Sequence, residues 1–251
     1  MLKTFTLFSA IVLFTQSAWA SIDSKIESPN SEPQPIQLTP YEAKYEATWK
    51  AGWFPITIEA TRTLEKADNH WKISFEAYSS VADLSEISEF EIQQQQILPI
   101  KYRYKTSGFL SKKLRTIEFD REKNKTWLPY KDIWTDYQLT NDTQDHLSYQ
   151  EQIRLDLMTG KNQLDYPVTY KSRLKNYQFE IVGESKMNTQ NGPITVVEIR
   201  QIGLKKKETN QIWLAKDFEY IIVKLKAKKK GTTNTIKLKH AQIGQKTLSG
   251  L

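Results

Sequence analysis

Ile212-Trp213-Leu214-Ala215-Lys216-Asp217-Phe218-Glu219-Tyr220-Ile221-Ile222-Val223-Lys224-Leu225-Lys226-Ala227-Lys228 carries in one stretch the pattern that the rest of the chain repeats. On an extended chain successive side chains point to opposite faces, so Ile221, Val223, Leu225 and Ala227 share one side and Lys224, Lys226 and Lys228 the other. Such a strand has one wet face. Residues 215–219 are short and polar enough to turn the chain back, which makes the stretch a hairpin whose apolar side needs a cover.

The same alternation returns on either side of this hairpin. Tyr41, Ala43, Tyr45, Ala47 and Trp49 alternate with charged and polar residues, Gly52 and Pro55 mark a turn or bulge, and Phe54, Ile56, Ile58 and Ala60 begin a second strand. Further strands are expected at 71–77, 89–97, 100–106, 114–120, 125–130, 163–170, 175–182, 185–189, 194–202 and 235–243, with a short helical or irregular crossing at 83–88. Asn191-Gly192 is a strong hairpin turn, because both residues tolerate positive φ. Residues 145–159 break the pattern: Tyr149, Ile153 and Leu157 recur at helical spacing, Asp142 or Asp145 is placed to cap the start and Gly160 to end it. A lone amphipathic helix must bury its stripe, so its expected job is to cover a sheet. The fold class read from this pattern is mainly β: a highly curved antiparallel sheet or half-open β-barrel, with one covering α-helix.

The chain's 251 residues open with Lys3, an apolar run from Phe5 to Phe14, and Ala18-Trp19-Ala20 before Ser21, the pattern of a cleavable secretory signal over 1–20. The run is shorter than a membrane-spanning helix requires. Residues 21–39, with Pro29, Pro33 and Pro35 among Ser, Glu and Gln, read as a disordered leader, and 40–245 as one domain followed by a tail at 246–251. With no cysteine there is no disulfide, no thiolate chemistry and no lipidation site behind the signal. A soluble, unlipidated periplasmic protein is the expected product.

The net charge is +7, and its basic excess lies between residues 204 and 240, where eleven lysines face only Glu208, Asp217 and Glu219. Lys205, Lys206, Lys207, Lys228, Lys229 and Lys230 are the candidate basic surface for anionic head groups or glycans. A plainer reading is a solvated face whose charges discourage edge pairing. Two aromatic groups are candidates for the rim of a ligand cavity: Trp49, Trp53 and Phe54 around the expected bulge, and Trp127, Tyr130, Trp134 and Tyr137 in a weakly periodic connection. Ordinary packing that plugs the barrel end would use the same residues. Phe109-Leu110 beside Lys112-Lys113 gives a hairpin tip for at most peripheral membrane contact.

Other chemistries find little footing. His70, His146 and His240 form no ligand spacing, so neither a metal nor a cofactor is expected. No Gly-x-Ser-x-Gly turn or phosphate-cradling glycine loop occurs, and a non-enzymatic role follows. In Lys101-Tyr102-Arg103-Tyr104-Lys105 the tyrosines and the cations fall on opposite faces, which disfavours a nucleic-acid platform.

Pro40-Tyr41-Glu42-Ala43-Lys44-Tyr45, then Leu98-Pro99-Ile100-Lys101-Tyr102-Arg103-Tyr104, then Gln152-Ile153-Arg154-Leu155-Asp156-Leu157 with Gly160, then Trp213-Leu214-Ala215 with Tyr220 and Val223-Lys224, together resemble the exported bacterial family called domain of unknown function 3108. The chain carries Lys216 and Ile222 where members often have proline. The resemblance implies an envelope location and an antiparallel β fold similar to periplasmic lipoprotein carriers, and it implies no activity. The resulting functional expectation is a carrier of an amphipathic or lipid-like envelope ligand held in a half-barrel. Its rivals are an envelope assembly factor engaging a protein or polyanion through the lysines, and a hydrolase or glycan-modifying enzyme without a recognisable motif.

Overall fold

The computed structural model describes residues 36–51, 54–80, 82–108, 112–229 and 231–251. The expected signal and most of the leader lie outside the described residues, as do Trp53, Phe109, Leu110 and Lys230.

The first half is a meander of β1 (Tyr41–Ala51), β2 (Phe54–Ala67), β3 (His70–Tyr78), β4 (Ala82–Gln93), β5 (Gln96–Gly108), β6 (Lys113–Asp120), β7 (Lys125–Leu128) and β8 (Ile133–Trp134). Helix α1 (Ser148–Met158) follows. The second meander comprises β9 (Leu164–Tyr170), β10 (Arg173–Thr189), β11 (Gly192–Ile202), β12 (Thr209–Ala215), β13 (Ile221–Lys229) and β14 (Thr232–Ile243), and β15 (Lys246–Ser249) turns back on β14. All join one antiparallel sheet in the order β8 to β1, then β14 to β9, so β1 and β14 form the central seam. The sheet is not closed: β8 and β9 are its two ends. Between them the connection contributes one parallel rung, Gln144 against Val168.

Alternation explains the register. Ile243, Tyr41, Leu64, Ile73, Ser88, Tyr102 and Ile117 stand in line across seven strands from β14 to β6, and every one is buried. Burying each large apolar member contributes about 1.5–3 kcal/mol. One pleat away, the outer face carries Glu65, Lys72, Glu89, Lys101 and Glu118 opposite one another.

Four expectations need correcting. Residues 83–88 are strand, not a crossing: Glu86, Ser88 and Phe90 are buried, and the two polar ones have buried partners, which hides the hydrophobic period. At the end of the expected leader Leu38 and Thr39 are packed, Leu38 buried in the core and Thr39 bonded to Glu219, while Ile36 and Gln37 are exposed. The tail at 246–251 belongs to the sheet: Leu248 is buried, β15 pairs with β14, and the N–H groups of Gly250 and Leu251 donate to the carbonyls of Lys239 and Leu238. Finally, α1 is not amphipathic in the expected sense. Nine of its eleven residues are buried, Glu151, Gln152, Arg154 and Asp156 among them, so it fills the trough of the sheet instead of lying across it with a wet face.

Candidate functional site

Burying four strongly polar side chains on one helix costs free energy unless each finds partners. Glu151 Oε1 accepts from Arg62 Nη2 at 2.8 Å and from the Tyr41 hydroxyl at 2.9 Å, while its Oε2 accepts from Arg154 Nη1 at 2.5 Å. Arg62 Nε donates to Tyr41 Oη at 2.7 Å, and the Arg154 guanidinium lies 4.6 Å from the centre of the Tyr41 ring. Burial opposes ionisation of Glu151, but the guanidiniums of Arg154 and Arg62 outweigh it and hold the carboxyl below its ordinary value. Burial pushes the Tyr41 hydroxyl up, and the Tyr45 hydroxyl up to about 12.

Arg154 reaches further, donating Nε to the Glu219 carbonyl at 2.9 Å with Nη2 3.6 Å from the Glu219 carboxylate. Glu219 and Tyr220 both have positive φ, 52° and 55°, an uncommon pair of non-glycine residues in the left-handed region. Arg154 from the helix and Thr39 from before β1 hold that turn in place. At the other end of α1, Asp145 Oδ1 accepts the N–H groups of Leu147 and Ser148 at 2.8 and 2.9 Å, and Ser148 Oγ accepts from the Asp145 N–H. This reciprocal arrangement is buried, and burial pushes the Asp145 carboxyl up. Gln152 and Asp156 fasten the helix to the backbone of Ile97 and to the Tyr166 hydroxyl.

Beside the N-terminal end of α1 the sheet leaves a cavity of about 810 Å³. Its walls include Phe75, Tyr149, Tyr177, Ile222, Leu225 and Ile236, with Arg62, Glu86, His146 and Asn210 as polar members. The Tyr149 ring is braced by Phe179, stacked at 6.1 Å, and by Tyr177, edge-on at 5.3 Å. Glu86 accepts from the Tyr102 hydroxyl at 2.7 Å and lies 3.9 Å from His146 Nδ1. Asn210 donates to Gln201, but its Oδ1 is buried without a partner among the described residues. Lys175, Lys205, Lys228 and Lys229 also line the cavity, and the last three are exposed. A volume of this size falls within the ~300–1,000 Å³ of small-molecule sites.

The structure therefore brings together three of the candidate lysines, Lys205, Lys228 and Lys229, at this cavity; Lys206 and Lys207 are exposed nearby in sequence. Of the candidate aromatics, Trp127, Tyr130, Trp134 and Tyr137 lie elsewhere. Trp127 and Trp134 line a second hollow of about 690 Å³, Tyr137 shares a hydrogen bond with Thr126, and Tyr130 packs against the core. Trp49 lies on β1 opposite Ile56, and Phe54 on β2 opposite Ala51. The cavity's own aromatics, Tyr45, Phe75, Tyr149, Tyr170 and Tyr177, read as core residues in the sequence, and no local signal separates them from packing. Among the described residues no group of three or more His, Asp or Glu is placed to hold a metal ion, and no helix is long and apolar enough to cross a membrane.

The model of the family described as "Protein of unknown function (DUF3108)" matches residues 44–239. The chain belongs to the DUF3108 family. The motifs behind the resemblance are now legible as the parts that seat α1: Tyr41 and Arg154 in the buried ion cluster, Gln152 and Asp156 at the helix anchors, Tyr102 on Glu86. No curated protein matches the chain. Among solved structures, a β-barrel-like protein of domain of unknown function DUF1849 from Brucella abortus aligns with a TM-score of 0.60 at 12% identity, over 83% of this chain and 99% of that one. At that identity the likeness shows the fold alone. A putative outer membrane lipoprotein-sorting protein domain from Vibrio parahaemolyticus aligns over 82% of this chain and 86% of that one at 8% identity, with a TM-score of 0.23 that carries no argument.

Proposed function

We propose that this DUF3108 protein is an exported, non-enzymatic binding protein that holds an amphipathic anionic molecule of the cell envelope. The ligand's apolar part lies against Phe75, Ile222, Leu225 and Ile236, and its acidic group meets Lys205, Lys228 and Lys229. The observation that carries this reading is the cavity itself: about 810 Å³ with an aromatic and aliphatic interior and lysines at its lining. Apolar burial supplies most of the affinity, and the lysines select the sign of the head group and speed encounter. The ion pairs beneath support it, because Glu151 binds both Arg62 and Arg154 and holds the helix wall in one position. Export itself rests on the signal-like residues 1–20.

The test is titration of the full chain with a fluorescent fatty-acid analogue bearing a carboxylate head, together with organic extraction and mass spectrometry of protein purified from its native envelope. Saturable binding is expected, abolished by Leu225→Trp, which fills the cavity, and weakened at least about tenfold by the Lys205→Glu, Lys228→Glu, Lys229→Glu triple variant. An empty extract with no saturable probe binding overturns the proposal. Loss with the lysine variant alone, Leu225→Trp being silent, would favour an exposed polyanion site.

A further inference from the structure

The second hollow lies on the opposite pleat from the core. The outer-face row that begins Glu65, Lys72, Glu89, Lys101, Glu118 alternates in charge at every step, and Lys72 bonds Glu65 at 2.8 Å and Lys101 bonds Glu118 at 2.7 Å. Straight across from Glu118 come Trp127 and then Trp134, where the row would otherwise continue with charges. The two indoles stand 5.1 Å apart at 46°, neither stacked nor perpendicular, and Trp134 is 38% exposed. They form an open V whose surroundings are mostly hydrogen-bonding groups, with Ile100 and Phe119 as the apolar members.

The hollow is lined by Lys101, Glu118, Asp120, Arg121 and Glu122 besides the indoles. Arg121 donates Nη1 to the Thr140 carbonyl at 3.3 Å and keeps Nη2 buried with no partner among the described residues. A buried, unpaired guanidinium nitrogen is costly, and it marks a place where a ligand acceptor fits. Lys123 bonds Asp120 at 2.7 Å and lies 4.6 Å from the Trp134 ring centre, which fixes that ring against the 121–124 turn. With Lys123 counted, three cations meet three carboxylates, so the site favours neither polyanions nor polycations.

We infer that this hollow is a saccharide-binding site, distinct from the cavity around α1. A pyranose has an apolar face of C–H groups, which packs on an indole π-face, and an equatorial fringe of hydroxyls that both donate and accept. The tilted indoles offer the first surface, and Glu118, Asp120, Lys101 and Arg121 Nη2 answer the second. Lys101 and Glu118 pair with each other and Asp120 with Lys123, so a purely apolar ligand would cover these ion pairs and leave Arg121 Nη2 unmatched, and a charged polymer would meet like charges on the same rim. The ligand is an uncharged oligosaccharide, bound along the edge where β7 and β8 end the sheet.

Isothermal titration of the full chain with maltohexaose, cellohexaose and chitotetraose tests it. At least one is expected to bind, with affinity falling about tenfold or more in Trp134→Ala and in Arg121→Ala and partly retained in Trp134→Phe. Leu225→Trp, in the other cavity, is expected to leave sugar binding unchanged, so the two proposals fail separately. Thermal midpoints within a few degrees of wild type establish that Trp134→Ala folds, and Trp134→Phe serves the same comparison if it does not. Absence of binding by all three sugars, binding indifferent to Trp134 and Arg121, or capture of dextran sulfate in their place overturns the assignment.

Discussion

Glu151 sits where a carboxylate is hardest to keep, fully buried on a helix, and two guanidiniums are what keep it ionised. Replacing it with Gln leaves Arg62 and Arg154 buried with half their partner gone, and the expected loss is about 3–5 kcal/mol at neutral pH. The sign of the pH dependence follows from its lowered folded-state pKa. The stabilisation is complete above the ordinary value of 4.5 and drains away as the pH falls through the lower folded value. Urea denaturation of wild type and Glu151→Gln should therefore show a gap that is constant near neutrality and narrows below pH 4.5. A gap independent of pH would assign the cost to shape instead of charge.

Among the elements, the hairpin of β10 and β11 gives the plainest test. Gly192 has φ of 103° with open space around the position a Cβ would take, so Gly192→Ala meets backbone strain and nothing else. A cost of about 1–2 kcal/mol is expected, read from the shift in thermal midpoint. Asn191-Gly192 marks that turn in the sequence, since its chemistry is local. Its second role is not legible there: Asn191 Oδ1 accepts the Ser249 N–H and pins the C-terminal strand 58 positions away. The same division runs along the chain. Strands whose inward residues are apolar, such as 41–47 and 71–77, show themselves by alternation, and so do the helix and Asp145 at its start. β4 is hidden because Glu86 and Ser88 face inward, and Glu151, Arg154 and Asp156 read as a wet helix face because their partners lie on other elements. At the candidate site the lysines stand out by density, whereas the aromatic walls become recognisable only when the register places them around empty space.

In the molecule as a whole, the seam dominates. β1 pairs with β14, setting Tyr41 opposite Ile243, so the sheet cannot be completed until strands from opposite ends of the domain meet. The helix then ties both meanders together through Arg62, Glu219 and Ile97. Two behaviours are expected: equilibrium unfolding in one transition, seen alike by circular dichroism and tryptophan fluorescence, and refolding on the order of a second or slower, since distant pairing precedes most of the reward. Stopped-flow fluorescence measures the second; separate transitions for the two meanders would contradict the first.

Between β8 and β9 the wall is fastened differently from the rest of the sheet. There the rung among the described residues is that of Gln144, whose N–H donates to the Pro167 carbonyl, whose carbonyl accepts from the Thr169 N–H, and whose side-chain amide grips the Ile97 carbonyl. Parting neighbouring strands elsewhere means undoing a ladder; loosening this side means undoing the bonds of Gln144 together with those of Gln152 and Asp156 on α1. The open side of the sheet is thus held by a few side chains, Gln144, Gln152 and Asp156, where every other neighbouring pair of strands is held by a backbone ladder.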